Sequence, residues 1–148
     1  MDFFTVPTIT MKVLFVFLVL EHRRREVLHF NVTEHPCAAW TSQQIVEAFA
    51  NQDGPQYLLR DRDRIYGNEV RLRISSLQIE EVLTAPRSPW QNPYVERLIG
   101  SIRRDCLDHF IPFNARHLKR TLSSYFTYYH GSRTHLGLAS NVHMFGRS

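Results

Sequence analysis

A chain of 148 residues with 43% apolar side chains is long enough to bury a core and short enough to be a single domain. Its two cysteines, Cys37 and Cys106, stand far apart with no CxxC pair, which argues against a disulfide framework or a zinc ribbon and fits a reducing cytoplasm. The net charge of +4 is carried unevenly: residues 1–86 hold nine Lys/Arg against eleven Asp/Glu, residues 87–148 nine against three, and the basic C-terminal part favours a polyanion such as nucleic acid.

Three apolar, β-rich stretches open the chain: Phe3 to Val6, Lys12 to Leu20 and Glu26 to Val32. The links Thr8 to Met11 and Glu21 to Arg25 are hairpin-sized, so an antiparallel three-strand start is expected. The run Val13 to Leu20 falls short of the roughly 20 apolar residues a bilayer requires. Asp2 before it and His22-Arg23-Arg24-Arg25 after it are also the wrong flanks for a signal segment. Its β-branched and aromatic residues point instead to a buried strand.

Thr41 to Ala50 changes to helical spacing, with Ile45, Ala48 and Phe49 on one face and Thr41 or Ser42 as the expected cap. After the turn signal Asp53-Gly54-Pro55, Tyr57 to Leu59 reads as a strand running into Arg60-Asp61-Arg62-Asp63. A helix from about Asn68 to Leu77 and a strand from Ile79 to Leu83 follow. The order βββαβαβ and then helices predicts an α/β fold with a mixed five-stranded sheet flanked by helices, since β-α-β crossovers need parallel neighbours.

Thr84 to Gln91 reads as a loop, and Asn92-Pro93 starts a helix. Asn is a favoured cap, and proline's missing N–H would be unpaired at the first helical position anyway. Val95, Leu98, Ile99, Ile102 and Cys106 make the buried stripe of this helix, while Glu96, Gly100 and Arg103 share another face. A last helix from about Ala115 to His130, capped by Asn114, is expected to bury Leu118, Leu122, Tyr125 and Tyr129. Residues 139–148 are expected to form an irregular tail.

Asp2, Asp61 and Glu96 stand where a core would not choose an acid. Singly, each has a plainer reading: a frayed terminal residue, a turn residue, and an acid favoured by the helix dipole. Together they suit a magnesium site if the first and fourth strands lie side by side, because magnesium takes oxygen ligands and two-ion sites clamp both oxygens of a phosphoryl displacement.

Asp61 and Glu96 are 35 residues apart, and Arg103 follows Glu96 by seven. This resembles the D,D(35)E signature, with its trailing basic residue, of DDE-type insertion-sequence transposases and retroviral integrases. Ser88 to Arg97 resembles the family's loop and helix start, with an Asn four residues before the Glu. Tyr129 to Leu138 resembles its C-terminal block.

The resemblance covers residues 2–138 and implies a ribonuclease H-like catalytic core over 1–138. It implies DNA transposition or integration by metal-dependent phosphodiester hydrolysis and strand transfer, with Asp2, Asp61 and Glu96 holding two Mg²⁺ or Mn²⁺ ions. Asp61 is preferred to Asp63 because Tyr66 follows it by five, Asp63 falls where the family often has Gly, and only Asp61 keeps the spacing of 35. Arg97, Arg103 and Arg104 are the implied phosphate contacts, and Trp90 and Tyr94 either touch bases or pack. The implied partners are transposon ends, target DNA and further copies of the chain in a synaptic complex, with no membrane. In the family a further strand half, and usually an end-binding helical domain, precede the first Asp. The resemblance therefore also implies a clipped first strand and impaired activity, with a ribonuclease H-like nuclease that does not join, or a silent DNA-binding or dimerisation remnant, as alternatives.

Overall fold

The computed structural model describes residues 1–21, 26–50, 57–60, 67–83 and 93–144. β1 (Asp2–Pro7), β2 (Val13–Glu21) and β3 (Glu26–Thr33) form an antiparallel sheet in the order β1-β2-β3, as the hairpin-sized links predict. At the first link the Thr8 N–H donates to the Lys12 carbonyl at 2.8 Å, and Met11 closes the turn with φ of 68°. The register sets Asp2 opposite Leu18, Phe4 opposite Val16 and Val6 opposite Leu14. Beyond β2, Leu18 faces Phe30 and Val16 faces Val32. Side chains alternate along a strand, so these rows share one face of the sheet while Phe3, Phe17 and Val19 occupy the other.

Each face has its own core. Phe4, Val6, Val16 and Leu18 pack with Val95, Leu98 and Ile102 of α3 (Pro93–Ile102), and with Leu118, Leu122 and Phe126 of α4 (Ala115–Met144). On the opposite face Phe17 and Val19 pack with Ile45 of α1 (Ala38–Ala48) and with Val70 and Ile74 of α2 (Gly67–Ser76). Residues from Val16 to Leu20 are therefore buried on both sides, which is why that run reads as continuously apolar.

α1 begins earlier than expected. Its cap is Cys37, whose Sγ accepts the Trp40 N–H at 3.4 Å; Thr41 and Ser42 lie inside the helix and are buried. Trp40 explains the shift: its ring lies 6.3 Å from Phe3 and 6.2 Å from Phe17, and starting the helix after Pro36 places it there.

β4 (Tyr57–Arg60) and β5 (Glu80–Leu83) pair in parallel around α2, as a β-α-β unit requires. Among the described residues the strands thus form two ladders, one of three strands and one of two. α3 runs on through a π-helical turn at Arg103–Leu107. Asn114 caps α4, its side-chain oxygen accepting the His117 N–H at 2.8 Å. α4 continues to Met144, so residues 139–144 are helical where an irregular tail was expected. No proline follows Ala115 to stop it, and extending an existing helix fixes only one residue per hydrogen bond.

Candidate active site

Asp2 begins β1 in the same row as Phe4 and Val6, on the sheet face that α3 covers. The side chain is half-buried, and its Oδ1 accepts the Phe3 N–H at 2.8 Å, which restrains the carboxylate. Val95 and Ile102, both fully buried, press α3 against that face. The spacing that buries Val95 turns Glu96 outward, where it presents its carboxylate to solvent in the helix's first turn. The positive end of the helix dipole favours an acid there.

Arg103 ties the two elements together. Its Nη2 donates to the Thr5 carbonyl at 3.3 Å, and its guanidinium lies 5.5 Å from the centre of the Phe4 ring. The strand carrying Asp2 and the helix carrying Glu96 thus share a core and a cross-link. Arg97 is exposed, as is Arg104, which donates to Ser101 Oγ at 3.4 Å and sits 3.5 Å from Asp105. An exposed pair of that kind contributes about 0–1 kcal/mol, so Arg104 gives up little by turning to a phosphate.

Tyr94 takes the packing role of the two that were open for it. It is 8% exposed and its hydroxyl lies 3.1 Å from that of Tyr129. Asp61, Asp63, Trp90 and Asn92 lie outside the described residues. Among the described residues no three His, Cys, Asp or Glu side chains form a metal cluster. Asp2 and Glu96 supply hard oxygen donors of the kind magnesium takes, which makes them chemically suited to such an ion.

Several features at this site have no sequence signature. The π-helical turn follows Glu96 closely in the chain, and such turns gather at functional sites. In it Asp105 accepts the Tyr125 hydroxyl at 3.4 Å. Burial, and then the Asp105 carboxylate, push the Tyr125 phenol up to about 12 and raise the Cys106 thiol as well. The sequence placed Tyr125 and Tyr129 on a buried stripe, whereas Phe126 is the buried residue and the two tyrosines are half-buried. A groove of about 380 Å³ between β3 and α4, lined in part by Phe30 and Phe126, contains none of the expected site residues.

The chain's fold is that of solved DNA integrase and transposase catalytic domains, a ribonuclease H-like α/β class. It superposes on the Mos1 transposase catalytic domain, solved with raltegravir and Mg, with a TM-score of 0.70 and 17% identity over 85% of this chain and 68% of that one. The simian T-cell lymphotropic virus intasome, solved in complex with PP2A regulatory subunit B56 gamma, gives 0.63 and 16% over 70% of this chain. This chain spans 37% of the length of that one. The BIV integrase catalytic core gives 0.50 and 15%, covering 70% of each chain. No curated protein matches.

Residues 77–141 match the integrase core domain family, and that segment contains Glu96 and Arg103. The resemblance read from those residues thus agrees with the family match over 77–141 and with the fold of integrase and transposase catalytic domains.

Proposed function

We propose that this chain is the catalytic core of a DDE-type transposase or integrase that cleaves and joins DNA, with Asp2, Asp61 and Glu96 as its metal ligands. The observation that carries the reading is the placement of Asp2 on the sheet face beneath α3, the helix that presents Glu96, with Arg103 joining strand to helix. The reading requires β4 to lie beside β1 in one five-stranded sheet. Asp61, which directly follows β4, then comes next to Asp2.

Two divalent cations held there would supply Lewis-acid stabilisation to the attacking and leaving oxygens of a phosphodiester displacement. The chain's own residues do the rest. The three carboxylates fix where the scissile phosphate sits, and the restraint on Asp2 from Phe3 N–H limits its rotation. Arg97 and Arg104 offer guanidinium groups to flanking phosphates, contacts that hold register without reading sequence. Trp90 precedes α3 and is offered to bases.

The test is a cleavage and joining assay with Mg²⁺ or Mn²⁺ on a pool of duplex DNA ends. Wild type is expected to give covalently joined products, and Asp61→Asn or Glu96→Gln to lower cleavage and joining together by at least about a hundredfold. Joining that survives Glu96→Gln overturns the assignment of the site. Cleavage without any joined product replaces strand transfer with nuclease action, and a chain that binds DNA but no divalent ion is a silent remnant.

A further inference from the structure

The tyrosines of α4 hold α3 near both ends. Near its start, Tyr94 in the first turn points inward, and its hydroxyl meets that of Tyr129 at 3.1 Å. At the other end, beyond Ile102, the Tyr125 hydroxyl donates to Asp105 at 3.4 Å. The Tyr125 and Tyr129 rings stack on each other at 6.2 Å with 23° between their planes, so the two ties are braced as one unit. Phe126, between them in sequence, sets its ring edge-on to Phe30 at 4.9 Å, which fixes this stretch of α4 to β3. An unbroken chain of contacts therefore runs from the sheet through α4 to the first turn of α3.

That first turn is where Glu96 lies, and it comes just after residues 84–91, which the sequence reads as a loop, and the expected cap Asn92. The first turn of a helix has N–H groups without intrahelical acceptors and frays readily unless side chains hold it. Val95 and Leu98 supply apolar contact, but apolar contact has no direction and lets a helix end slide or roll. A hydroxyl pair sets both distance and angle, because the interaction weakens steeply away from good geometry.

We infer that the Tyr94–Tyr129 hydroxyl pair is a positioning device: Tyr129 locks the first turn of α3 and thereby aims the Glu96 carboxylate. The inference rests on the reading of Glu96 as a metal ligand, and Tyr94 and Tyr129 touch neither metal nor DNA in it. Outer residues that orient a metal ligand typically change affinity by about tenfold to a hundredfold, and a pair acting one step further out belongs at or below the lower edge of that range.

The experiment compares wild type with Tyr94→Phe, Tyr129→Phe and the double variant, each keeping the ring and losing only the hydroxyl. Two readouts are taken on the folded chain: hydrogen exchange of the amides in residues 94–99, and Mn²⁺ affinity by titration without DNA. Each single variant is expected to speed exchange in that segment and weaken Mn²⁺ binding, both by about threefold to tenfold, and the double variant to do no more than either single one. Exchange elsewhere in the sheet stays as in wild type, a result that general destabilisation would not give.

Unchanged exchange at 94–99, or additive effects of the two substitutions, overturns the hydroxyl lock. Faster exchange with unaltered Mn²⁺ affinity, alongside a Glu96→Gln control that loses the ion, overturns only the claim that the lock aims Glu96. If Glu96→Gln binds Mn²⁺ like wild type, the metal-site reading fails and the lock's link to Glu96 fails with it.

Discussion

The face of the sheet under α3 and α4 and the face under α1 and α2 bury similar aliphatic cores but handle their polar groups in opposite ways. Under α1, the polar groups are sealed in. Gln44, buried at 3% exposure, accepts from His29 Nε2 at 2.7 Å and Asn31 Nδ2 at 3.0 Å through one oxygen. Under α3 and α4 the polar ties instead lie at the margins: Arg103 to β1, Tyr125 to Asp105, Tyr94 to Tyr129. Residues 94–129 carry six Lys/Arg against three Asp/Glu, while α1 and α2 together carry two of each. One side of the sheet is a closed support and the other displays an adjustable, basic surface around an acidic residue. Polar bonds on the first side resist unfolding, and those on the second side orient.

The sharpest way to break this comparison is to cut a matched hole in each core. Ile74 and Ile102 are both fully buried, one on each face. Truncating either to alanine is expected to cost about 2–5 kcal/mol in urea denaturation. The two variants should part in function, with Ile102→Ala weakening Mn²⁺ binding under conditions where the chain is folded and Ile74→Ala leaving it alone. Should either alanine variant fail to fold, the milder valine substitutions, at about 0.5–1.5 kcal/mol each, carry the same contrast. Equal loss of Mn²⁺ affinity from both sides would erase the distinction between support and display.

A smaller effect comes from Tyr125. Its phenol is raised from the ordinary 10.0 to about 12, first by burial and then by the Asp105 carboxylate. Between those values the folded chain holds the proton that the unfolded chain has released, so stability is full below about pH 10 and declines as pH rises toward 12. The raised Cys106 thiol acts in the same direction. Tyr125→Phe should flatten the decline measured in denaturation at stepped alkaline pH, and Cys106→Ser isolates the thiol's share. The phenol is partly exposed, so solvent screening makes the slope shallower than the shift alone suggests. An unaltered alkaline slope in Tyr125→Phe would remove Asp105 and Tyr125 from the set of ties that orient α3.

What the sequence made legible follows the same division. Strict alternation and a doubly apolar run fix β1, β2 and β3, because burial on two faces leaves few registers open. Asn92-Pro93 marked the start of α3, and the spacing of Asp61, Glu96 and Arg103 pointed to a family that the 77–141 match then bears out. Hidden were the features that depend on a distant partner. Cys37 is an unusual cap that wins because Trp40 must reach Phe3 and Phe17. Tyr94 stays open between a base contact and packing until Tyr129 stands opposite it. The π-helical turn has no residue signature, so the packing that carries Cys106 inward could be read while the turn itself could not.

The smallest expected effect bears on how closely DNA comes to the displayed side. Gly100 sits inside α3 between Glu96 and Arg103, and a Cβ built on it meets nothing within 4 Å. Packing therefore does not require glycine here, and a glycine inside a helix costs about 0.5–1 kcal/mol relative to alanine. Gly100→Ala should raise the melting temperature by roughly 1–4 °C. The informative quantity is DNA affinity in the same variant. A phosphate backbone lying against the stripe that Glu96 and Arg103 define would meet the new methyl group, so tighter folding would come with weaker DNA binding. Unchanged DNA affinity would instead mean that the phosphates stand off from the middle of α3 and are met only by the longer reach of Arg97 and Arg104. No rise in melting temperature would place the methyl group against something on this side, and the stripe would then not be the open surface that separates it from the sealed face under α1.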